Sequence, residues 1–258
     1  MTGLVTLVGG GPGREDLLTL AAARALARAD VVLYDRLAPH ERLQELAPGA
    51  ELVDVGKRPG HHAVPQQEIE ALMVEHAHAG RRVVRLKGGD PYVLGRGGEE
   101  LLACHAAGVH VEVIPGVTSA VAVPGAAGIP LTHRGISHLF TVVSGHTPLS
   151  ENELEHLSGL GGTIVVLMGV NSLPALTAGL ARHGMSAQMP VAIIERGFTA
   201  DQRTTIGDLA DIVTAAGRAR VASPAVVVIG EVVRLAHDGE AGATELMRRA
   251  AGFTAVGA

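Results

Sequence analysis

The chain has a single cysteine, Cys104, and no tryptophan, and its aromatics amount to three Phe and two Tyr. One thiol excludes an internal disulfide framework and a multi-thiolate zinc site. So few aromatics argue against modules that stack nucleobases. The core is left to Val, Leu, Ile and Ala, the residues of buried parallel sheets. Long apolar runs are missing as well, because ALARADVVLYD (25–35) and GTIVVLMGV (162–170) are too short to span a bilayer. No basic region followed by an apolar core opens the chain, so no secretory signal is expected. The net charge of −5 does not suit a general polyanion binder. These absences leave a cytoplasmic α/β enzyme, with no membrane or nucleic-acid partner, as the expectation. At 258 residues the chain is long enough for one large or two medium domains.

What is present alternates. Apolar strand-like runs at 4–9, 30–35, 51–56, 82–86 and 109–114 are separated by helical segments at 17–29, 41–47, 65–80 and 98–108. This alternation predicts a mostly parallel sheet. The segment 115–135, dense in Pro, Gly and small residues, reads as the domain junction. A second α/β unit follows, with strands expected at 139–146, 163–170, 190–197 and 223–233 and a helix from 173. The expected boundaries are 1–116 and 117–240, with a tail at 241–258.

The stretch RRVVRLKGGDPYVLGRGGEE (81–100) is the most informative. A strand that stops at Gly88-Gly89 allows close backbone approach, and in open α/β sheets ligands sit outside the carboxyl ends of strands. GGGPG at 9–13 invites a dinucleotide reading, but Arg14 stands where the third glycine belongs and Pro12 removes a backbone donor. Asp35, ending the second strand, suits either a ribose hydroxyl or proton acceptance in a cleft. Lys57 and Arg58 suit an anionic ligand or a plain exposed loop. Thr118 and Ser119 suit hydroxyl donation or ordinary N-capping. Met168, in an apolar run, reads as core, and Cys104 as packed rather than nucleophilic. No histidine spacing demands a metal, and none is expected.

The order VGGGPG, VVLYDRL, VGKRPGHHAVPQ, VVRLKGGDPYVLGRGGEE, PGVTSAVAVPGAAGIPLTHRG, SGH, VLMG, PVAIIERGFTADQR and SPAVVVIGEVV resembles the tetrapyrrole methylases, from about Leu4 to Leu235. Within them it resembles those that methylate uroporphyrinogen III. The resemblance implies two α/β domains with S-adenosylmethionine in a cleft between them, and a homodimer. It implies methylation of two ring carbons to give precorrin-2. By match to the family's motifs, Pro12, Gly88, Gly89, Asp90, Val93, Thr118, Ser119, Met168 and Gly197 fall on cofactor positions. Asp35 falls on the proton acceptor and Lys57 on the proton donor. Arg36, Arg58, Arg96 and Arg134, with Lys87 and His133, are expected in loops that line a site for the substrate's carboxylates.

Three departures stand out. Arg14 follows GPG where the family has an acid, and the acids come at Glu15 and Asp16. SGH replaces TGH, and GFTADQ replaces a turn of small residues. No dehydrogenase-chelatase motifs precede the match, so sirohaem is not the expected product of this chain alone. A methylase of a later corrin intermediate is the alternative. A nicotinamide dehydrogenase and a tetrapyrrole carrier without chemistry are further readings.

Overall fold

A computed structural model describes residues 3–56 and 64–236. The chain divides into two compact units, residues 1–119 and 120–258. Lys57, Arg58 and the segment 241–258 lie outside the described residues.

Unit 1 holds strands β1 (Leu4–Gly9), β2 (Val31–Tyr34), β3 (Glu51–Asp54), β4 (Arg82–Lys87) and β5 (His110–Ile114). They form one sheet in the order β3-β2-β4-β1-β5, with every pairing parallel. Helices α1 (Leu20–Ala27) and α2 (Leu43–Leu46) pack Ala22, Leu26 and Leu43 onto Val8, Val32, Val84 and Leu86. Helices α3 (Gln66–His78) and α4 (Gly97–Ala106) pack Ile69, Met73 and Cys104 onto Val5, Leu7, Leu33 and Val83. Alternate residues of each strand thus serve opposite faces, as the two-residue period requires. Fully buried Leu7 and Leu33 each contribute about 2–3 kcal/mol by leaving water. Cys104 is fully buried in this core, and burial pushes its thiol up to about 11.

At the amino end of the sheet, Asp30 accepts from the Arg82 backbone N at 2.8 Å and from its Nη2 at 2.8 Å. The Arg82 guanidinium holds Asp30 down to about 2, from an ordinary 3.8. A depressed carboxyl contributes stability above its unfolded value and loses it as pH falls through the folded one. Both side chains are partly exposed, so solvent limits the contribution to within about 1 kcal/mol. Asp30→Asn is therefore expected to lower the urea midpoint slightly at pH 6.5. At pH 2, near the folded value, most of that difference should be gone.

Unit 2 departs from the parallel sheet that the sequence suggests. Its strands β6 (Phe140–Ser144), β7 (Thr163–Leu167), β8 (Pro190–Glu195), β9 (Arg203–Asp208) and β10 (Ala225–Ile229) lie in the order β6-β7-β10-β8-β9. Only β6 and β7 pair in parallel; β10 runs antiparallel to β7 and β8, and β9 antiparallel to β8. A short connection returns β8 into β9, a strand not expected from the sequence, and no crossover helix fits there. Helix α5 (Ser119–Ala126) opens at the end of unit 1, and its residues Ala120 and Val123 pack on one face of this sheet with Val232 and Val233. Helices α6 (Glu151–Leu160), α7 (Leu173–Arg182) and α8 (Ile212–Ala219) cover the other face. Among the described residues no helix is long and apolar enough to cross a membrane.

Candidate active site

The carboxyl edge of the unit 1 sheet carries most of the residues singled out by sequence. From β1 the chain moves through α1 to β2, on one side. From β4 it moves through α4 to β5, on the other side. β1 and β4 are neighbours, so the strand order reverses between them, the place where open α/β sheets bind ligands. The loops after these strands are stitched together: Gly11 N donates to Gly89 O at 3.1 Å and Gly89 N to Gly11 O at 2.7 Å. The loop after β5 closes on the same seam. A Cβ on Gly116 would lie 2.3 Å from Gly89 O and 2.6 Å from Gly9 Cα. Gly89 itself sits at φ +69, a conformation side chains resist. The glycines therefore serve first to bring three strand exits into backbone contact.

Asp90 locks this seam. Its Oδ1 accepts from Tyr92 N at 2.8 Å and its Oδ2 from Gly116 N at 3.0 Å. Each oxygen keeps a further lone pair for a ligand. Pro91 O accepts from Gly97 N at 2.9 Å and closes the loop that carries Val93 onto α4. Gly88 lies against Leu37, with Pro12 partly buried in the β1 loop. Thr118 and Ser119 lead into α5, near Gly89. Unit 1 thus brings together Pro12, Gly88, Gly89, Asp90, Val93, Thr118 and Ser119. Of the acids after GPG, Asp16 pairs with Arg14 and Glu15 with Arg42, all at the surface.

Asp35 leaves β2 beside this edge, with its backbone N bonded to Leu86 O. Arg85 Nη2 donates to Asp35 Oδ1 at 2.6 Å; Asp35 Oδ2 has no protein partner among the described residues. The side chain of Asp35 is 31% exposed, whereas Arg85 is 2% exposed. Behind Arg85 lies fully buried Glu100, which accepts from Arg85 Nε and Lys87 Nζ, each at 2.9 Å. Lys87 was expected in a loop. It ends β4 and is 3% exposed, and burial, then the Arg85 charge, push its ammonium below the usual lysine range. A strand buried on both faces leaves its last side chain no route to solvent.

Sequence reasoning missed Arg85 and Glu100. The signal was there: Arg85 and Lys87 are two residues apart in an apolar strand, hence on one face. Two cations on a buried face require a carboxylate partner. Of the arginines expected to line the site, Arg36 is exposed after Asp35, next to Gly56. Arg96 caps the start of α4 at φ 60 and is held by Glu99, through bonds of 2.9 and 2.7 Å.

In unit 2, β6, β7 and β8 end on one edge. Met168 follows β7 at φ 59 and is 46% exposed, not core as the apolar run suggests. Its αL backbone turns it out of the strand. Arg196 and Phe198, flanking Gly197 after β8, also have positive φ. Such strain collects at ligand sites. The β8 exit is fixed by fully buried Glu195, which takes two bonds from Arg203, at 2.7 and 2.8 Å. Gly197 faces Val123 of α5, where a Cβ would come within 2.6 Å. Arg134 is not brought to this edge. Its turn, closed by His133 N to Ser137 O at 2.8 Å, lies by the amino ends of β6 and β7, where Thr163 Oγ1 meets Ser137 Oγ. A five-residue strand separates the two ends by roughly 15 Å.

Among the described residues no group of three His, Cys, Asp or Glu is placed to hold a metal. The family model described as Tetrapyrrole (Corrin/Porphyrin) Methylases matches residues 4–213. An S-adenosyl-L-methionine-dependent uroporphyrinogen III methyltransferase of Methanosarcina barkeri is 48% identical over 240 residues, 92% of this chain and 94% of that protein. The crystal structure of a Thermus thermophilus uroporphyrin-III C-methyl transferase, complexed with S-adenosyl homocysteine, superposes with a TM-score of 0.76. It is 46% identical and covers 90% of this chain and 100% of that one. A cobalt precorrin-4 methyltransferase superposes at 0.78 but is 27% identical, over 89% of this chain and 95% of that one. This chain belongs to the tetrapyrrole methylase family.

Proposed function

We propose that the chain is an S-adenosylmethionine-dependent C-methyltransferase that methylates two ring carbons of uroporphyrinogen III, giving precorrin-2. The observation that carries this reading is the near full-length likeness, at 48% identity, to a methyltransferase named for that substrate. Superposition alone does not choose a substrate, since the precorrin-4 enzyme fits as closely with 27% identity.

The residues present suit the donor. A glycine seam with no side chains lets a ligand reach backbone N–H and C=O groups, and Asp90 has lone pairs for a hydroxyl or an ammonium. Pro12, Gly88, Gly89, Asp90, Val93, Thr118 and Ser119 from unit 1, and Met168 and Gly197 from unit 2, are the proposed contacts. The sulfonium donor carries an already activated methyl group, so the protein's work is alignment and proton handling. Methylating a pyrrole carbon leaves a cationic ring that must lose a proton. Asp35 is the proposed acceptor, through Oδ2, while Arg85 holds Oδ1. Lys57 is the proposed donor. Arg36, Arg58 and Arg96 would meet the substrate's carboxylates, Arg96 by exchanging its Glu99 partner. Arg134, whose turn lies by the amino ends of β6 and β7, has no part in this reading. A homodimer in the cytoplasm, with no membrane or nucleic-acid partner, belongs to the same proposal.

Incubation with uroporphyrinogen III and methyl-labelled S-adenosylmethionine tests the reading, with two labels per ring expected. Absence of label would overturn it. Label appearing only on a later corrin intermediate would move the substrate along the pathway.

A further inference from the structure

Asp35, Arg85, Glu100 and Lys87 form a group of two anions and two cations running from the partly exposed edge into the core. Arg85 is engaged throughout: Nε to Glu100, Nη1 to Leu86 O at 3.2 Å, and Nη2 to Asp35. Glu100 is engaged through one oxygen. Its Oε1 accepts from Arg85, Lys87 and, at 3.3 Å, Gln66 Nε2, while Oε2 is buried with no partner among the described residues.

We infer that Glu100 is a positioning residue for proton acceptance by Asp35, acting through Arg85. The inference rests on the reading of Asp35 as the acceptor. A guanidinium at this depth keeps its place only beside an anion. If Asp35 were its only counter-ion, each proton taken up by Asp35 would leave Arg85 buried and uncompensated. Glu100, out of contact with water, remains a counter-ion while Asp35 changes charge. Arg85 then keeps its geometry, and Asp35 Oδ2 keeps its aim. Lys87 Nζ, bonded to the same Oε1 at 2.9 Å, balances the charge behind Glu100.

The test compares Glu100→Gln in the native background and in an Asp35→Asn background, measuring kcat by labelled methyl transfer and S-adenosylhomocysteine binding by calorimetry. In the native background kcat is expected to fall about tenfold or more, part of what a positioned base supplies. Binding should remain at one molecule per chain, with Kd within about twofold. In the Asp35→Asn background the same substitution should change kcat less than about twofold, because residues acting through one another are not additive. An unchanged kcat in the native background overturns the inference, as does an equal loss in both backgrounds, which is the mark of a general structural role. If Glu100→Gln no longer binds S-adenosylhomocysteine, the charge-balanced Glu100→Gln/Lys87→Met variant takes its place, and loss of binding there also overturns it. Full activity in Asp35→Asn alone removes the acceptor reading and the inference with it. A slow Asp35→Asn beside a native-like Glu100→Gln removes the inference only.

Discussion

Asp35→Asn is expected to lower kcat about a hundredfold and leave S-adenosylhomocysteine affinity within about twofold. Asparagine has nearly the same shape, and its amide oxygen can still accept from Arg85 Nη2, now 2.6 Å from Oδ1. What it loses is the ability to take a proton. No cofactor contact is assigned to Asp35, so binding should not follow turnover. Steady-state kinetics with labelled donor, beside calorimetry, separates the two. A kcat within threefold of the native value would remove Asp35 from the proton step. A parallel loss of binding would place it in the donor site instead.

Gly116→Ala is expected to destabilise unit 1 by about 3 kcal/mol, from overpacking and a lost hydrogen bond together. The added methyl would lie 2.3 Å from Gly89 O and 2.6 Å from Gly9 Cα, all backbone, with no side chain able to yield. To clear them the β5 exit must retreat, and Gly116 N then leaves Asp90 Oδ2. A fall of roughly 6–12 °C in the thermal midpoint is the expected size. Gly98→Ala is the matched control: its Cβ meets nothing within 4 Å, and a helical alanine is gained. It should raise the midpoint slightly. A Gly116→Ala midpoint within 2 °C of native would mean that the seam opens at little cost.

Most of unit 1 was legible in the sequence, because buried parallel strands and their helices alternate in long unbroken runs. The helix of α6 was legible but missed: Ser150 and Glu153 form a reciprocal capping box, spaced as the S-x-x-E pattern requires. β9 was harder. Arg203–Asp208 has one large apolar residue, Ile206, and its pairing with β8 is a tertiary choice. The antiparallel course of β10 was not readable either, since an apolar run carries no direction. At the site, the glycines and Asp90 were legible as a pattern, but their reason was not. Contact between Gly9, Gly89 and Gly116 joins residues far apart in the chain. Arg85 hid inside an apolar run because its partners Asp35 and Glu100 are 50 and 15 residues away.

The side-chain-free seam has a consequence for changing what this scaffold accepts. Positions 9 and 116 have no room for a side chain, and position 89 has a backbone conformation that resists one. Ligand shape on unit 1 is therefore better redrawn beside the seam, for example at Leu37, Tyr92 and Leu94, which are already exposed and carry little of the core. A variant library confined to those three positions samples new ligand shapes without touching the joint that holds the strand exits together.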